Sequence, residues 1–169
     1  MKEKGLFQSV NFESPFKGDS KKVSNNDDEL TVIGSSTVIE GKENSKIICG
    51  GNIEIMGYVK GLVDVAGSAD IYGTVDGLVN AEQLTAEEGS KINGDINCRT
   101  KLSITGSSVV GNIKAKNAYV NASIKGNIES ANELKIAGNS VIEGNIITGS
   151  ISIESGAVVV GNLAVRKQK

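Results

Sequence analysis

Histidine is absent from the 169-residue chain, and arginine occurs only twice, as Arg99 and Arg166. The first absence removes the commonest general base and the commonest metal ligand. Two arginines cannot form the cluster that binds phosphate through paired hydrogen bonds. Because 18 basic residues face 20 acidic ones, no strongly basic surface is present to attract nucleic acid. We therefore expect no cofactor, no bound metal, no nucleic-acid partner and no enzymatic activity.

Cysteine and long apolar runs are scarce as well. The two cysteines, Cys49 and Cys98, form neither a CxxC pair nor a zinc-binding spacing, and they are too few for a disulfide framework. No run of 18 apolar residues is present, which argues against a membrane span. The apolar residues behind Lys2 and Lys4 are too interrupted for a signal peptide, so we expect a cytoplasmic protein.

Proline occurs once, at Pro15, whereas isoleucine and valine together supply 36 residues and leucine only 8. Such an excess of β-branched residues favours strands over helices. A body without proline can also donate backbone hydrogen bonds at every position. The composition therefore predicts an all-β protein.

The main signal is an internal repeat that reads aliphatic, any residue, glycine, any residue, aliphatic. Eight copies occur: the position two residues before glycine is isoleucine or valine in all of them, and the position two residues after is aliphatic in seven, the exception being Glu43. From the first glycine to the last is 120 residues over seven intervals, a mean of about 17. Such a period is typical of a chain that winds into stacked coils. The eight glycines are Gly41, Gly61, Gly77, Gly94, Gly111, Gly126, Gly144 and Gly161.

A second apolar pair with period two precedes each copy, as in Leu102-Ser103-Ile104 and Ile151-Ser152-Ile153. Short segments rich in glycine, serine and asparagine separate the pairs and read as corners. Alternation places every second side chain inside, so each coil holds two or three short strands around stacked isoleucine and valine. The sequence predicts a single-stranded parallel β-helix, or solenoid, of about eight short coils with flexible termini.

The eight repeat glycines are expected at corners, because a turn between strands often needs a positive φ, which glycine adopts without cost. Asparagine follows glycine in the last four copies, and stacked asparagines can form an amide ladder. The spacing varies between 15 and 20 residues. This favours a right-handed coil over the left-handed hexapeptide β-helix of acyltransferases, whose period is a strict six.

The chain resembles the bactofilins in the segment from Thr31 to Gly41 and in the recurrent Val-x-Gly-Asn-Ile motif, over residues 31–163. The resemblance implies a bacterial cytoskeletal protein whose right-handed β-helix joins end to end into filaments without nucleotide. It also implies a scaffold for cell shape, envelope or protein-localisation machinery. The chain departs from the family in lacking an aromatic residue in its last coil.

Three regions are expected on this basis. Residues 1–30 lack the repeat and are predicted to be a disordered N-terminal tail. Residues 31–165 are predicted to form the β-helical polymerisation domain, and residues 166–169 a basic C-terminal tail. The tail at the N-terminus is either a solvated linker or a contact for a partner.

Four apolar residues of the N-terminal tail are candidates for that contact. Leu6, Phe7 and Val10 would share one face of a short helix near two lysines, an arrangement that favours a peripheral membrane contact at the inner face of the cell membrane. The alternative is contact with envelope-synthesis or localisation proteins. The candidate residues are Leu6, Phe7, Val10 and Phe12.

The principal partner expected is a second copy of the chain. A β-helix cannot close on itself, so its first and last coils expose unpaired N–H and C=O groups. An apolar end that carries such an edge is a docking surface for another end. The polymerisation interface is predicted at Val32, Ile33, Val38, Val158, Val160, Leu163 and Val165.

A non-enzymatic, self-assembling cytoskeletal scaffold is therefore the function that the sequence favours. A β-helical carbohydrate-active enzyme and a passive binding module are the alternatives. The adjacent carboxylates Glu87 and Glu88 fall in a corner and are expected to be solvated. The glycines of the chain do not have the spacing of a phosphate-binding loop.

Overall fold

The computed structural model describes residues 10–13, 30–41 and 45–166, which contain eighteen strands and no helix. Most strands are three or four residues long, and the later ones are longer because they continue through corners. Their bounds are β1 (Val10–Glu13), β2 (Leu30–Ile33), β3 (Val38–Glu40), β4 (Lys46–Cys49), β5 (Asn52–Ile55), β6 (Tyr58–Lys60), β7 (Leu62–Val65), β8 (Ser68–Ile71), β9 (Thr74–Asp76), β10 (Val79–Ala86), β11 (Lys91–Asn93), β12 (Ile96–Val110), β13 (Ile113–Lys125), β14 (Ile128–Ile136), β15 (Val141–Glu143), β16 (Ile146–Ile153), β17 (Val158–Val160) and β18 (Leu163–Val165).

From β2 onwards the strands stack in parallel on three faces of one coil. We name the faces by the strands that begin and end each stack. Face A begins with β2 in the first coil and ends with Ser150–Ile153 in the last. Face B begins with β3 and ends with β17, and face C begins with β4 and ends with β18. Each face holds eight strand segments, so seven steps along the axis relate the first coil to the last. The predicted fold class, an all-β parallel β-helix of short coils, is confirmed.

Alternation along each short strand builds the core. Inward residues of successive coils lie directly above one another, and burying one aliphatic side chain contributes about 1.5–3 kcal/mol. On face B the inward column of coils two to seven is fully buried. That column consists of Val59, Val75, Ile92, Val109, Ile124 and Ile142.

The repeat glycines lie at the corner between faces B and C. Seven of the eight, from Gly61 to Gly161, have φ between +137° and +154°, a conformation that side chains rarely adopt. A Cβ at Gly111 would also overlap the carbonyl oxygen of Gly94 in the coil before. The corners therefore stack on one another through bare backbone, which explains why the repeat requires glycine there.

Strand β1 is the exception to the parallel stacking. It pairs antiparallel with β4 of the first coil, with Val10 opposite Cys49 and Glu13 opposite Lys46. Strand β1 lies within residues 1–30, for which the sequence predicts a disordered tail. The remainder of that segment, apart from Leu30, lies outside the described residues.

Candidate functional site

Metal-binding clusters and membrane-spanning helices are both absent from the described residues. Within residues 10–13, 30–41 and 45–166, no group of three or more His, Cys, Asp or Glu side chains could hold a metal ion. In the same ranges no helix is long and apolar enough to cross a membrane.

The two thiols are buried on face C, in the same inward column but three coils apart. Burial raises the pKa of the Cys98 thiol, whose Sγ donates to the carbonyl oxygen of Lys101 over 3.0 Å. Cys49 lies close to Thr31, with 3.6 Å between Sγ and Oγ1. Cys98 is thus held in the protonated form, which is a poor nucleophile.

One carboxylate on face B links three coils. The Tyr58 hydroxyl donates to Oδ2 of Asp76 over 2.6 Å, and the Asn93 amide donates to Oδ1 over 2.6 Å. These hydrogen bonds, that of Tyr58 first, lower the pKa of Asp76, and the same bond raises the pKa of Tyr58. Because both carboxylate oxygens are engaged by neighbouring coils, the arrangement indicates a structural brace.

An asparagine ladder runs along the corner between faces B and C. In each rung, the backbone N–H and the side-chain Nδ2 both donate to the Oδ1 of the residue one coil earlier, over 2.7–3.2 Å. The rungs in order are Asp95, Asn112, Asn127, Asn145 and Asn162. The ladder has a direction, because each rung accepts from the coil that follows. Among the described residues, none donates to Oδ1 of Asn162.

The last coil leaves the core open. Ile153 on face A and Leu163 and Val165 on face C occupy inward positions, yet they are 45%, 44% and 53% exposed. Their counterparts one coil earlier, Ile136, Ile146 and Thr148, are buried. The exposure therefore arises because the described chain places no further coil on this end.

The first coil is different at the same register positions. Ile33 is 2% exposed, Ile47 is 4% exposed and Cys49 is 1% exposed. In the parallel register Ile33 corresponds to Ile153, and Ile47 corresponds to Leu163. One end of the rod has a covered core and the other an open one.

The structure places the residues of the predicted interface in two groups at opposite ends of the rod. At the first coil, Ile33 is buried in the core, Val32 is half-buried and Val38 is 65% exposed on the outer surface. At the last coil, Leu163 and Val165 belong to the open core.

Val158 and Val160 point outward beside the half-buried Val159, and both are exposed. Two further residues of the open core, Ile151 and Ile153, are missing from the predicted interface. Their alignment with the inward pairs of earlier coils was the signal that could have identified them.

The comparisons with known proteins point in the same direction. Residues 89–164 match the family model described as bactofilin, polymer-forming cytoskeletal. Residues 89–164 are thus similar to a bactofilin domain. This match confirms the resemblance found in the sequence, and the description of the family indicates a structural, polymer-forming role. No curated protein and no solved structure matches the chain at a significant level.

The bactofilin match covers the second half of the rod, including the whole asparagine ladder and nearly all of the open last coil. Coils before residue 89 continue the same three faces in unbroken register. The β-helix therefore extends beyond the matched residues towards the N-terminus.

Proposed function

We propose that this bactofilin is a non-enzymatic cytoskeletal scaffold that assembles end to end into filaments without nucleotide. The observation that carries the proposal is the open last coil, where inward positions of the core are exposed beside a free sheet edge. A second copy of the chain supplies both missing partners, an apolar core and a set of backbone hydrogen-bonding groups.

The apolar part of this contact supplies free energy directly. Ile153, Leu163 and Val165 are each about half exposed. Burying the remaining half contributes roughly 1 kcal/mol for each side chain, on the scale of 1.5–3 kcal/mol for full burial. Because burial itself drives the contact, assembly does not depend on ATP or GTP hydrolysis.

Backbone pairing adds to the burial. The strands of the last coil, from Ser150 to Val165, each pair with the coil before them. Their other edges are unpaired among the described residues, and such edges recruit strands from other chains. A contact through this edge would extend the sheet across the junction between two rods.

Electron microscopy and sedimentation velocity of the purified protein, with apyrase and EDTA present, test the proposal. We expect filaments that appear as the protein concentration rises. Leu163→Arg places a charge in the open core and should prevent the contact. Ser123→Arg is the matched control, because Ser123 is exposed on face B of an interior coil. A wild-type protein that stays monomeric at every concentration would contradict the proposal.

In the cell, we place the filaments in the cytoplasm, at the inner face of the membrane, where they support cell shape, envelope synthesis or protein localisation.

The membrane contact proposed for this role includes Leu6 and Phe7, which lie outside the described residues, and Val10 and Phe12 of β1. Val10 is in a strand, whereas the sequence pattern favours a short helix there. A polymer multiplies a weak membrane contact through avidity, so co-sedimentation of filaments with anionic liposomes checks it. Filaments that stay in the supernatant would contradict it.

A further inference from the structure

Strand β1 occupies the edge of β4 that a preceding coil would use. Every other pairing between described strands is parallel and joins successive coils, whereas β1 runs antiparallel to β4 over four residues. An antiparallel strand cannot continue the coil, because stacked coils all run in the same direction. Strand β1 therefore ends the stack on face C.

Burial in the first coil agrees with this arrangement. Inward residues of an interior coil are covered by one coil on each side, but the first coil has a following coil only. Ile47 and Cys49, the register partners of Phe12 and Val10, are nevertheless buried. At the last coil, no described strand pairs with the outer edge at the equivalent Leu163 and Val165, and both are about half exposed.

We infer that β1 is a detachable cap, which competes with a second copy of the chain for the first coil and so controls filament growth. The inference rests on the proposed end-to-end assembly. A capped molecule offers only its last coil, so two capped molecules join last coil to last coil. That contact is isologous and closes after two copies. Growth beyond the pair requires the first coil, and hence requires β1 to leave β4.

The cap is suited to reversible release. It contributes one strand of four residues at a sheet edge, and elements with so few contacts open more readily than core strands. When only an uncapped fraction can join, the apparent dissociation constant rises by the inverse of that fraction. We therefore expect filaments of the wild-type chain to form only above a threshold concentration, and a weakened cap to lower that threshold.

A covalent lock tests the inference in the full chain. Glu13 and Lys46 are register partners, and cross-strand partners have Cα separations of about 4.5–5.5 Å, within disulfide range. The double variant Glu13→Cys with Lys46→Cys should form this disulfide on oxidation. The oxidised protein should stop at pairs at every concentration, and dithiothreitol should restore wild-type filaments. Glu13→Cys alone is the control and should assemble normally under both conditions.

A weakened cap tests the opposite direction. Asn11→Pro with Phe12→Pro removes two successive N–H groups, one of which faces β4 in an antiparallel ladder. We expect filaments at a protein concentration lower by roughly tenfold or more, while Ser20→Pro, outside β1, leaves the threshold unchanged. Circular dichroism verifies that the coils remain folded.

The outcomes separate the cap from the proposed function. Normal filaments from the oxidised lock, an unchanged threshold in the proline variant, or a disulfide that does not form would each overturn the cap. Monomers from the wild-type chain and the proline variant alike, at all concentrations, would instead overturn end-to-end assembly. A threshold that moves as expected, together with a lock that reverses on reduction, supports both.

Discussion

The first and last coils of the rod use the same three faces and the same register, yet their inward side chains differ in solvent exposure. Ile33 and Ile47 are buried in the first coil, whereas Ile153 and Leu163 at the same positions are exposed in the last. The difference does not come from these side chains, which are aliphatic at both ends. On face C it comes from what lies next to the coil: among the described residues, β1 pairs with β4 beside Ile47, and no strand pairs with the outer edge of β18 beside Leu163.

The largest effect is expected from placing a charge at the same register position of each end. Ile47→Asp should leave an unpaired charge in a covered core and destabilise the folded first coil by about 3–5 kcal/mol. Leu163→Asp should change the stability of the monomer by less than about 1 kcal/mol, since the side chain can remain hydrated. Hydrogen exchange at protein concentrations below assembly measures both. Equal loss of protection at the two ends would mean that the ends do not differ.

Truncating one buried and one exposed isoleucine to alanine compares the two ends without introducing a charge. Ile33→Ala should cost about 2–5 kcal/mol, the usual range for a buried isoleucine. Ile153→Ala should cost roughly half as much or less, because that side chain is 45% exposed. Urea unfolding of the monomeric protein measures the two costs. A larger loss of stability at Ile153 than at Ile33 would contradict the conclusion that the first coil has a covered core and the last coil an open one.

Much of the fold could be predicted from the sequence because one physical requirement recurs in each coil. The corner glycines stack backbone on backbone, as Gly111 does on Gly94, and this fixes a period that the sequence displays. The open end was also accessible, since Leu163 and Val165 stand at inward positions of the last repeat. The covered end was not, because β1 is held by backbone pairing and its segment has no repeat. Val10 and Phe12 alone give too short an alternation to predict a strand.

The asparagine ladder gives a third, smaller contrast between interior and end. Asn127 donates to Asn112 and accepts from two groups of Asn145, whereas Asn162 donates to Asn145 and accepts from no described residue. Asn127→Ala should therefore cost about 1–2 kcal/mol and Asn162→Ala about 0.5 kcal/mol. Chemical denaturation under conditions that prevent assembly measures both. A larger loss at Asn162 would show that the final rung has a partner in the monomer.

The smallest expected effect concerns the brace near the covered end, where the hydrogen bond from Tyr58 and that from Asn93 lower the pKa of Asp76. A carboxyl with a lowered folded-state pKa stabilises the protein above its unfolded pKa of about 3.9, and this contribution is lost as the pH falls through the folded-state value.

Because the group lies at the surface and is only partly buried, solvent screening limits the contribution to less than about 1 kcal/mol. Tyr58→Phe removes the main cause, so the pKa of Asp76 should move up towards the ordinary value and the loss of stability on acidification should become smaller. Carboxyl NMR titration measures the first change and acid unfolding the second. Lys91→Gln, a change of charge on face B outside the brace, is the control. A pKa of Asp76 that is the same with and without the tyrosine hydroxyl would show that Asn93 alone holds the carboxylate, and that the brace joins two coils instead of three.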